Sequence, residues 1–283
     1  MLKVLKAGIY TSVQDKGRIG YAEFGVPVSG VMDGYSAALA NGLLNNDLED
    51  AVLEITLGNT SFQFLNDALI CISGADFSPT INDIPIQLLR RIKVKKNDIL
   101  SFNSFNYGVR CYLAVRGGFL TPKKLKSRSF YPNITKKIKL STGDEVKYKP
   151  FNKKDFNNPY LTLRSNIALF KSDELYCYKG PEFYQLNSIQ KKKIIDQRFT
   201  ISKENSRMGY KLVEEITNDL PQILSSAVLP GTVQLTPSGK LIVLHRDCQV
   251  TGGYPRVLQL TENALNKLAQ RTTGSRFYFK IKD

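Results

Sequence analysis

Tryptophan is absent from this 283-residue chain, and histidine occurs once, at His245. With one histidine, no Ser-His-Asp arrangement can be argued and no His-Glu-x-x-His zinc helix exists. The four cysteines, Cys71, Cys111, Cys177 and Cys248, lie far apart and form no Cys-x-x-Cys pair. That spacing offers no metal framework, and in a chain of this length it reads as packed, reduced thiols of a cytoplasmic protein. No apolar run of about 18 residues is available for a membrane span. The start, MLKVLKAGIYTSV, lacks an apolar signal core. There is no Gly-x-x-x-x-Gly-Lys-[Ser/Thr] loop. The nearest candidate, Ser238-Gly239-Lys240-Leu241, lacks the upstream glycine and the hydroxyl. Nor is there a strand-Gly-x-Gly-x-x-Gly-helix unit. Biotin is carried on a lysine between two methionines. None of Met1, Met32 and Met208 adjoins a lysine, so no covalently attached biotin is expected.

Charge is plentiful but one-sided. Lys and Arg number 40 against 25 acidic residues, a formal net charge of +15. Such an excess can mark a nucleic-acid or membrane partner. Here the lysines fall in scattered clusters, such as Lys123, Lys124 and Lys126, or Lys136, Lys137 and Lys139. No helix or finger spacing organises them. They read as solvated surface, with a share left over to favour anionic small molecules, and no nucleic acid is expected.

Hydrophobic residues make up 42% of the chain, enough for real cores. Most elements read as short strands with turn punctuation: VLEIT, SFQFL, ALICIS, DILSF and VRCYLAV in the first half, ELYCY, LIVLH, RVLQL and RFYFKI in the second. Gly58-Asn59 reads as a hairpin-like connection. Helices are expected near Tyr35 to Asn45 after Asp33, Glu182 to Ile195 after Pro181, and Glu262 to Arg271 after Thr261. Thr121 to Asp144 is lysine-rich with weak periodicity and reads as a surface excursion or a flap. Asn152 to Pro159 is the clearest linker, which divides the chain into domains 1–151 and 160–283. Many short strands with few helices give a mainly β fold of two barrel-like domains.

Two stretches carry polar groups too specific for a core. TSVQDKGRIGYAEFGVPVSGVMD, Thr11 to Asp33, holds Gly17, Gly20, Gly25 and Gly30, and glycines let backbone approach a ligand. Arg18 within it either forks onto an anion or ties to Asp15. HRDCQVTGGYPRV, His245 to Val257, places Asp247, Gln249, Thr251, Gly252, Gly253 and Tyr254 after an apolar strand. Loops at strand ends are where ligand-facing groups tend to be mounted. Gln249 has both the donor and the acceptor that an amide edge needs. Asp247 either faces a ligand or pairs with Arg246 or Arg256. His245, closing an apolar run, reads as a partly buried structural residue.

The pattern acid, any, small, Arg, apolar, Gly, Tyr occurs twice, as DKGRIGY (Asp15 to Tyr21) and ENSRMGY (Glu204 to Tyr210). One copy lies in each half, which suggests duplication of an ancestral domain. It adds Arg207, Tyr21 and Tyr210 to the candidates, and Ser29 joins them from the first glycine-rich stretch. Asp76 and Arg116 stand at strand ends typical of site rims, and equally of polar turns.

TSVQDKGRIGYAEFGVPVSGVMD, LEITLGN, ISGAD, YLAVRGG, KGPEF, SRMGYKL, VLPGTVQL and DCQVTGGYP follow in an order that resembles the biotin-dependent carboxyltransferase-like family, also called allophanate hydrolase subunit 2. That family includes KipA, the C-type subunits of 5-oxoprolinase and the carboxyltransferase portion of urea carboxylase. The resemblance runs over essentially the whole chain. It implies two cyclophilin-like β-barrel domains and a KipI-like companion subunit. In the 5-oxoprolinase group it also implies a lactam-hydrolase-like companion, and the complex opens 5-oxoproline to glutamate with ATP as co-substrate. On that reading Arg18 or Arg207 holds the substrate carboxylate, Gln249 reads the lactam edge and Asp247 accepts a proton. Carboxyl transfer from carboxybiotin on a separate carrier, and non-catalytic sequestration of a KipI-like inhibitor, remain as alternatives. The chain departs from the family pattern at Val250-Thr251, where two threonines are usual, and at Ser206, where Asn or Asp often precedes the arginine.

Overall fold

The computed structural model describes residues 1–103, 105–149, 163, 170 and 172–282. Backbone contacts divide the chain into one unit of Met1–Arg18 with Ser29–Phe170 and another of Ile19–Val28 with Lys171–Asp283. The linker expected at 152–159 lies outside the described residues.

In the first unit the strands are β1 (Leu2–Lys6), β2 (Tyr10–Gln14), β3 (Val52–Thr56), β4 (Thr60–Phe64), β5 (Ala68–Asp76), β6 (Thr80–Ile81), β7 (Ile84–Pro85), β8 (Ile92–Val94), β9 (Ile99–Phe102), β10 (Tyr107–Val115) and β11 (Glu145–Val146). They form two antiparallel sheets, in the orders β11-β1-β4-β9-β6-β7 and β2-β3-β10-β5-β8. Alternate residues face a shared core: Leu2, Val4, Phe62, Phe64, Leu100 and Phe102 from one sheet, Val13, Leu53, Ile55, Ile72, Leu113 and Val115 from the other. Helix α1 (Gly34–Leu43) covers the second sheet's outer face, packing Ala37, Ala40, Leu43 and Leu44 on Val52, Leu69, Cys71 and Ala114. A strand covered on both faces is mostly apolar, and β10 is buried from Val109 to Val115, with its one charged residue there, Arg110, set 3.9 Å from the Glu54 carboxylate. The α1 start follows from Asp33, which accepts from Ser36 N–H at 3.0 Å and Ser36 Oγ at 2.6 Å.

The turn at Gly58-Asn59 is not a hairpin. β3 belongs to one sheet and β4 to the other, so the chain turns a corner between them. Leu57, Gly58 and Asn59 all take positive φ to make it, and a Cβ on Gly58 would meet the Phe77 ring at 3.0 Å.

The second unit is a closed barrel. Its strands are β12 (Glu174–Lys179), β13 (Phe199–Asn205), β14 (Gly209–Glu215), β15 (Ser226–Ala227), β16 (Thr232–Leu235), β17 (Lys240–Leu244), β18 (Thr251–Gly252), β19 (Arg256–Leu260) and β20 (Arg276–Ile281). The ring runs β12-β19-β16-β17-β14-β13-β20 and closes through a parallel β12–β20 pair. Closure leaves no unpaired edge within the ring. Phe199, Phe277 and Phe279 fill the interior, with ring centroids 5.3 Å apart for both Phe199–Phe279 and Phe277–Phe279. Helix α2 (Ser188–Asp196) starts later than its pattern suggested. Asn187 and Gln190 form a reciprocal capping box, each side chain accepting from the other's backbone N–H at 2.9 Å, so helix geometry begins only there. Helix α3 (Glu262–Ala269) is capped by Thr261, as expected.

The mainly β architecture expected from sequence is therefore the observed one. All four cysteines are buried and unbonded. Burial pushes the thiols of Cys71, Cys177 and Cys248 up to about 12, so none is a nucleophile at neutral pH.

Candidate functional site

The second unit brings Arg207 and Asp247 together. Arg207 lies at the β13–β14 turn and Asp247 just beyond β17, and β14 pairs with β17 through Gly209↔Leu244. That register fixes the two backbones: Asp247 N–H donates to the Arg207 carbonyl and His245 N–H to the Met208 carbonyl, both at 2.9 Å. The side chains close a two-pronged fork, Nε to Oδ2 at 2.8 Å and Nη2 to Oδ1 at 3.0 Å. Both side chains are only 10% exposed, and charge-assisted forks of this kind are both stronger and more directional than single contacts. Asp247 thus pairs with neither neighbour named from sequence. Arg246 pairs with Glu262 and Arg256 with Glu182.

His245 is fully buried. Its Nδ1 accepts from Arg246 N–H at 2.9 Å, which assigns the proton to Nε2, 3.3 Å from the Leu265 carbonyl. Tyr210 is also fully buried, with its ring 5.7 Å from the His245 ring. These two residues are packing partners that hold the turn.

Beside the turn lies a cleft of about 290 Å³. Met208, Ile242 and Leu244 are its apolar lining residues, and Ser206 borders it. Glu204 and Lys211 line it as an ion pair at 2.8 Å. Two carboxamides, Gln234 and Gln249, and the Tyr254 ring complete it. Gln249 is exposed, and its carboxamide has no hydrogen-bond partner among the described residues. Gln234 is 2% exposed, and its Nε2 approaches the Tyr254 carbonyl at 3.4 Å. Gly252 permits this arrangement, because a Cβ there would sit 2.6 Å from the Gln234 Nε2. Thr251 and Gly252 form β18 against β15, and Gly253 O accepts from Ile223 N–H at 2.8 Å, so the turn is held on both sides. Gln234 was missed from sequence. The available signal was a carboxamide between the apolar Val233 and Leu235 of the buried strand TVQL.

The remaining candidates are not among the residues that line this cleft, and all but Tyr21 belong to the first unit. Asp15 accepts from Gly17 N–H at 2.9 Å, Ser127 Oγ at 2.6 Å, Arg128 N–H at 2.6 Å and Ser129 Oγ at 2.7 Å. Arg18 is 1% exposed and donates through Nη2 to the Ser129 carbonyl. Ser29 is buried in a left-handed conformation (φ 58°). Asp76 accepts from Ser78 N–H at 2.9 Å, within its own turn, and from the Asn106 amide, 30 residues on, at 3.0 Å. Arg116 donates to the Leu44 carbonyl at 2.6 Å and to the Asn45 carbonyl, closing the C-terminal end of α1. Both Asp76 carboxylate oxygens and the Arg116 Nη1 are thus engaged in bonds that hold the surrounding fold. Tyr21, half-buried, belongs to the 19–28 segment of the second unit, and its carbonyl accepts backbone N–H from Phe24 and Val26.

Among the described residues, no group of three or more His, Cys, Asp or Glu could hold a metal, and no helix is long and apolar enough to cross a membrane.

Residues 24–281 match the model of the carboxyltransferase domain, subdomain A and B. The chain belongs to that family. It is 31% identical to the C subunit of 5-oxoprolinase from Escherichia coli over 99% of this chain and 90% of the relative. The corresponding Haemophilus influenzae protein is 30% identical over 99% and 91%. Saccharomyces cerevisiae urea amidolyase is 37% identical over 75% of this chain, but over only 12% of its own length. Among solved structures, TTHA0988 superposes with a TM-score of 0.87 at 25% identity, over 99% of this chain and 55% of that one. The Kluyveromyces lactis urea amidolyase gives 0.84 at 27%, over 98% and 18%. The chain therefore spans about half of the TTHA0988 chain and less than a fifth of the yeast enzyme.

Proposed function

We propose that this chain is the C subunit of an ATP-dependent 5-oxoprolinase, active only with partner subunits. The observation that carries this reading is near full-length similarity to two bacterial proteins of that name. The cleft supports it. 5-Oxoproline presents a lactam, whose N–H donates and whose C=O accepts. Two carboxamides in one cleft meet both needs: a Gln249 amide N–H to the lactam oxygen and the Gln234 Oε1 to the lactam N–H. A donor on the carbonyl draws electron density from the carbon that water must attack. The C–N bond then breaks, the oxygen of water stays on carbon, and nitrogen leaves as the amine. Coupling to ATP hydrolysis belongs to the whole complex.

In this reading Arg207 anchors an anionic group and Asp247 fixes the guanidinium in place. As a proton acceptor Asp247 must first give up one prong of its fork. Two companion subunits, one lactam-hydrolase-like and one KipI-like, complete the enzyme in the cytoplasm.

The test is co-expression with the companion subunits and measurement of ADP release. Release that depends on 5-oxoproline supports the proposal. Release that depends on urea and bicarbonate, in an arm supplemented with a biotin carboxylase and its biotinylated carrier, instead supports carboxyl transfer, the alternative to which the urea amidolyase similarity points. Absence of both, with an intact complex, removes both enzymatic readings.

A further inference from the structure

A second cavity lies wholly within the first unit and shares no residue with the cleft or the candidate site residues. Its volume is about 340 Å³, inside the range of small-molecule pockets, about 300–1,000 Å³. The lysine-rich stretch between β10 and β11 supplies the walls. That stretch is anchored along its length. Phe130 N–H donates to the Val13 carbonyl at 2.9 Å, Leu140 N–H to the Thr11 carbonyl at 2.7 Å, and Gly143 N–H to the Val4 carbonyl at 2.8 Å. Val4 N–H returns a bond to the Asp144 carbonyl at 2.8 Å, and Leu120 N–H reaches the Lys147 carbonyl at 2.7 Å. Phe130, Leu140 and Val146 are buried in the core of the unit. A segment tied down at this many points is an arch rather than a free flap, and it encloses space it does not fill.

The lining separates into an apolar part and a charged part. Pro122, Phe130, Leu140 and Val146 supply carbon surface. Lys137, also on the lining, is neutralised by Asp144, which further accepts from Ser141 N–H at 2.9 Å. Glu145 is the other acid present, and it is exposed. Lys124 and Lys136 remain, lining the cavity without an ion-pair partner among the described residues. Two uncompensated ammonium groups next to carbon surface suit a molecule with one anionic end and an apolar body. The chain's charge of +15 draws such molecules in.

We propose that this cavity is a binding site for a small aliphatic carboxylate. The hydrocarbon body lies against Phe130, Leu140 and Val146, and the carboxylate meets Lys124 and Lys136. The site is separate from the second-unit cleft and does not depend on the function assigned there. The arch has no glycine-rich N–H cradle, which disfavours a nucleotide phosphate.

The experiment titrates the full-length protein with octanoate and, separately, with 1-octanol, followed by calorimetry. Octanoate binds saturably, one molecule per chain, and octanol binds at least about tenfold more weakly. The double variant Lys124→Gln/Lys136→Gln loses about tenfold in octanoate affinity and keeps its octanol affinity. Circular dichroism confirms that the variant, changed only at two exposed lysines, remains folded. Failure of octanoate to saturate at millimolar concentration overturns the proposal. So does equal affinity for the alcohol, or a double variant that binds octanoate as well as wild type does.

Discussion

Arg18 and Arg207 sit in matched sequence surroundings and end in different structures. Arg18 follows β2 in an irregular turn and donates to the Ser129 carbonyl. The nearby acid, Asp15, gathers four donors from its own strand end and from residues 127–129. Arg207 stands at a strand-to-strand turn and forks onto Asp247, 40 residues away. The acid of that second echo, Glu204, is at the surface paired with Lys211. What the repeated pattern specifies is a tight turn bearing an arginine. The partner of each arginine is set by which strand the register places opposite.

This comparison can be broken at its strongest point first. Asp15→Ala removes the acceptor shared by four donors, and we expect a loss of about 3 kcal/mol or more in unfolding free energy by urea titration. A loss under about 1 kcal/mol would show that water replaces the aspartate and that Asp15 organises nothing.

Arg207→Ala should cost less, about 2–3 kcal/mol, because it removes two charge-assisted hydrogen bonds from a carboxylate that keeps some contact with water. It should also abolish ATP-coupled ring opening, as should Asp247→Asn. If both variants fold and retain full activity in the complex, the fork is structural only.

Gly252→Ala tests the cleft itself. A methyl 2.6 Å from the Gln234 amide must displace that carboxamide. Stability should change by about 1 kcal/mol, while KM for 5-oxoproline rises more than kcat falls. An unchanged KM would detach Gln234 from substrate.

The smallest effect is one of pH. In the second unit Glu182 takes three hydrogen bonds from Arg256, at 2.8, 3.0 and 2.8 Å. The Arg256 side chain, more than burial opposes it, holds the Glu182 carboxyl below its usual range. A depressed folded-state value means the stabilisation is complete above the normal carboxylate range and is lost as pH falls through the lowered value. The melting-temperature gap between wild type and Glu182→Gln should therefore be widest near neutrality and close in acid. A gap independent of pH would contradict the pairing.

Local signals carried much of the architecture. VLEIT and RVLQL coincide with β3 and β19, and Asp33 and Thr261 cap the helices they precede. What stayed hidden depends on residues distant in sequence. Gly58-Asn59 reads locally as a hairpin, yet the strands on either side belong to different sheets. Asp247 has arginines at 246 and 256, but strand pairing presents Arg207 instead. Gln234 was not singled out in VLPGTVQL, and only the tertiary fold shows that it borders a cleft. The cavity under the arch was equally invisible, because the periodicity of Thr121 to Asp144 is too weak to place Phe130 and Leu140 in a core.

The most direct test of the account is the double variant Gln234→Ala/Gln249→Ala, reconstituted with its companion subunits and assayed for glutamate formation from 5-oxoproline. The account predicts an intact complex with at least about a hundredfold lower kcat/KM, the loss of two hydrogen bonds to substrate. An intact complex with wild-type kcat/KM would show that the cleft in the barrel does not read the lactam.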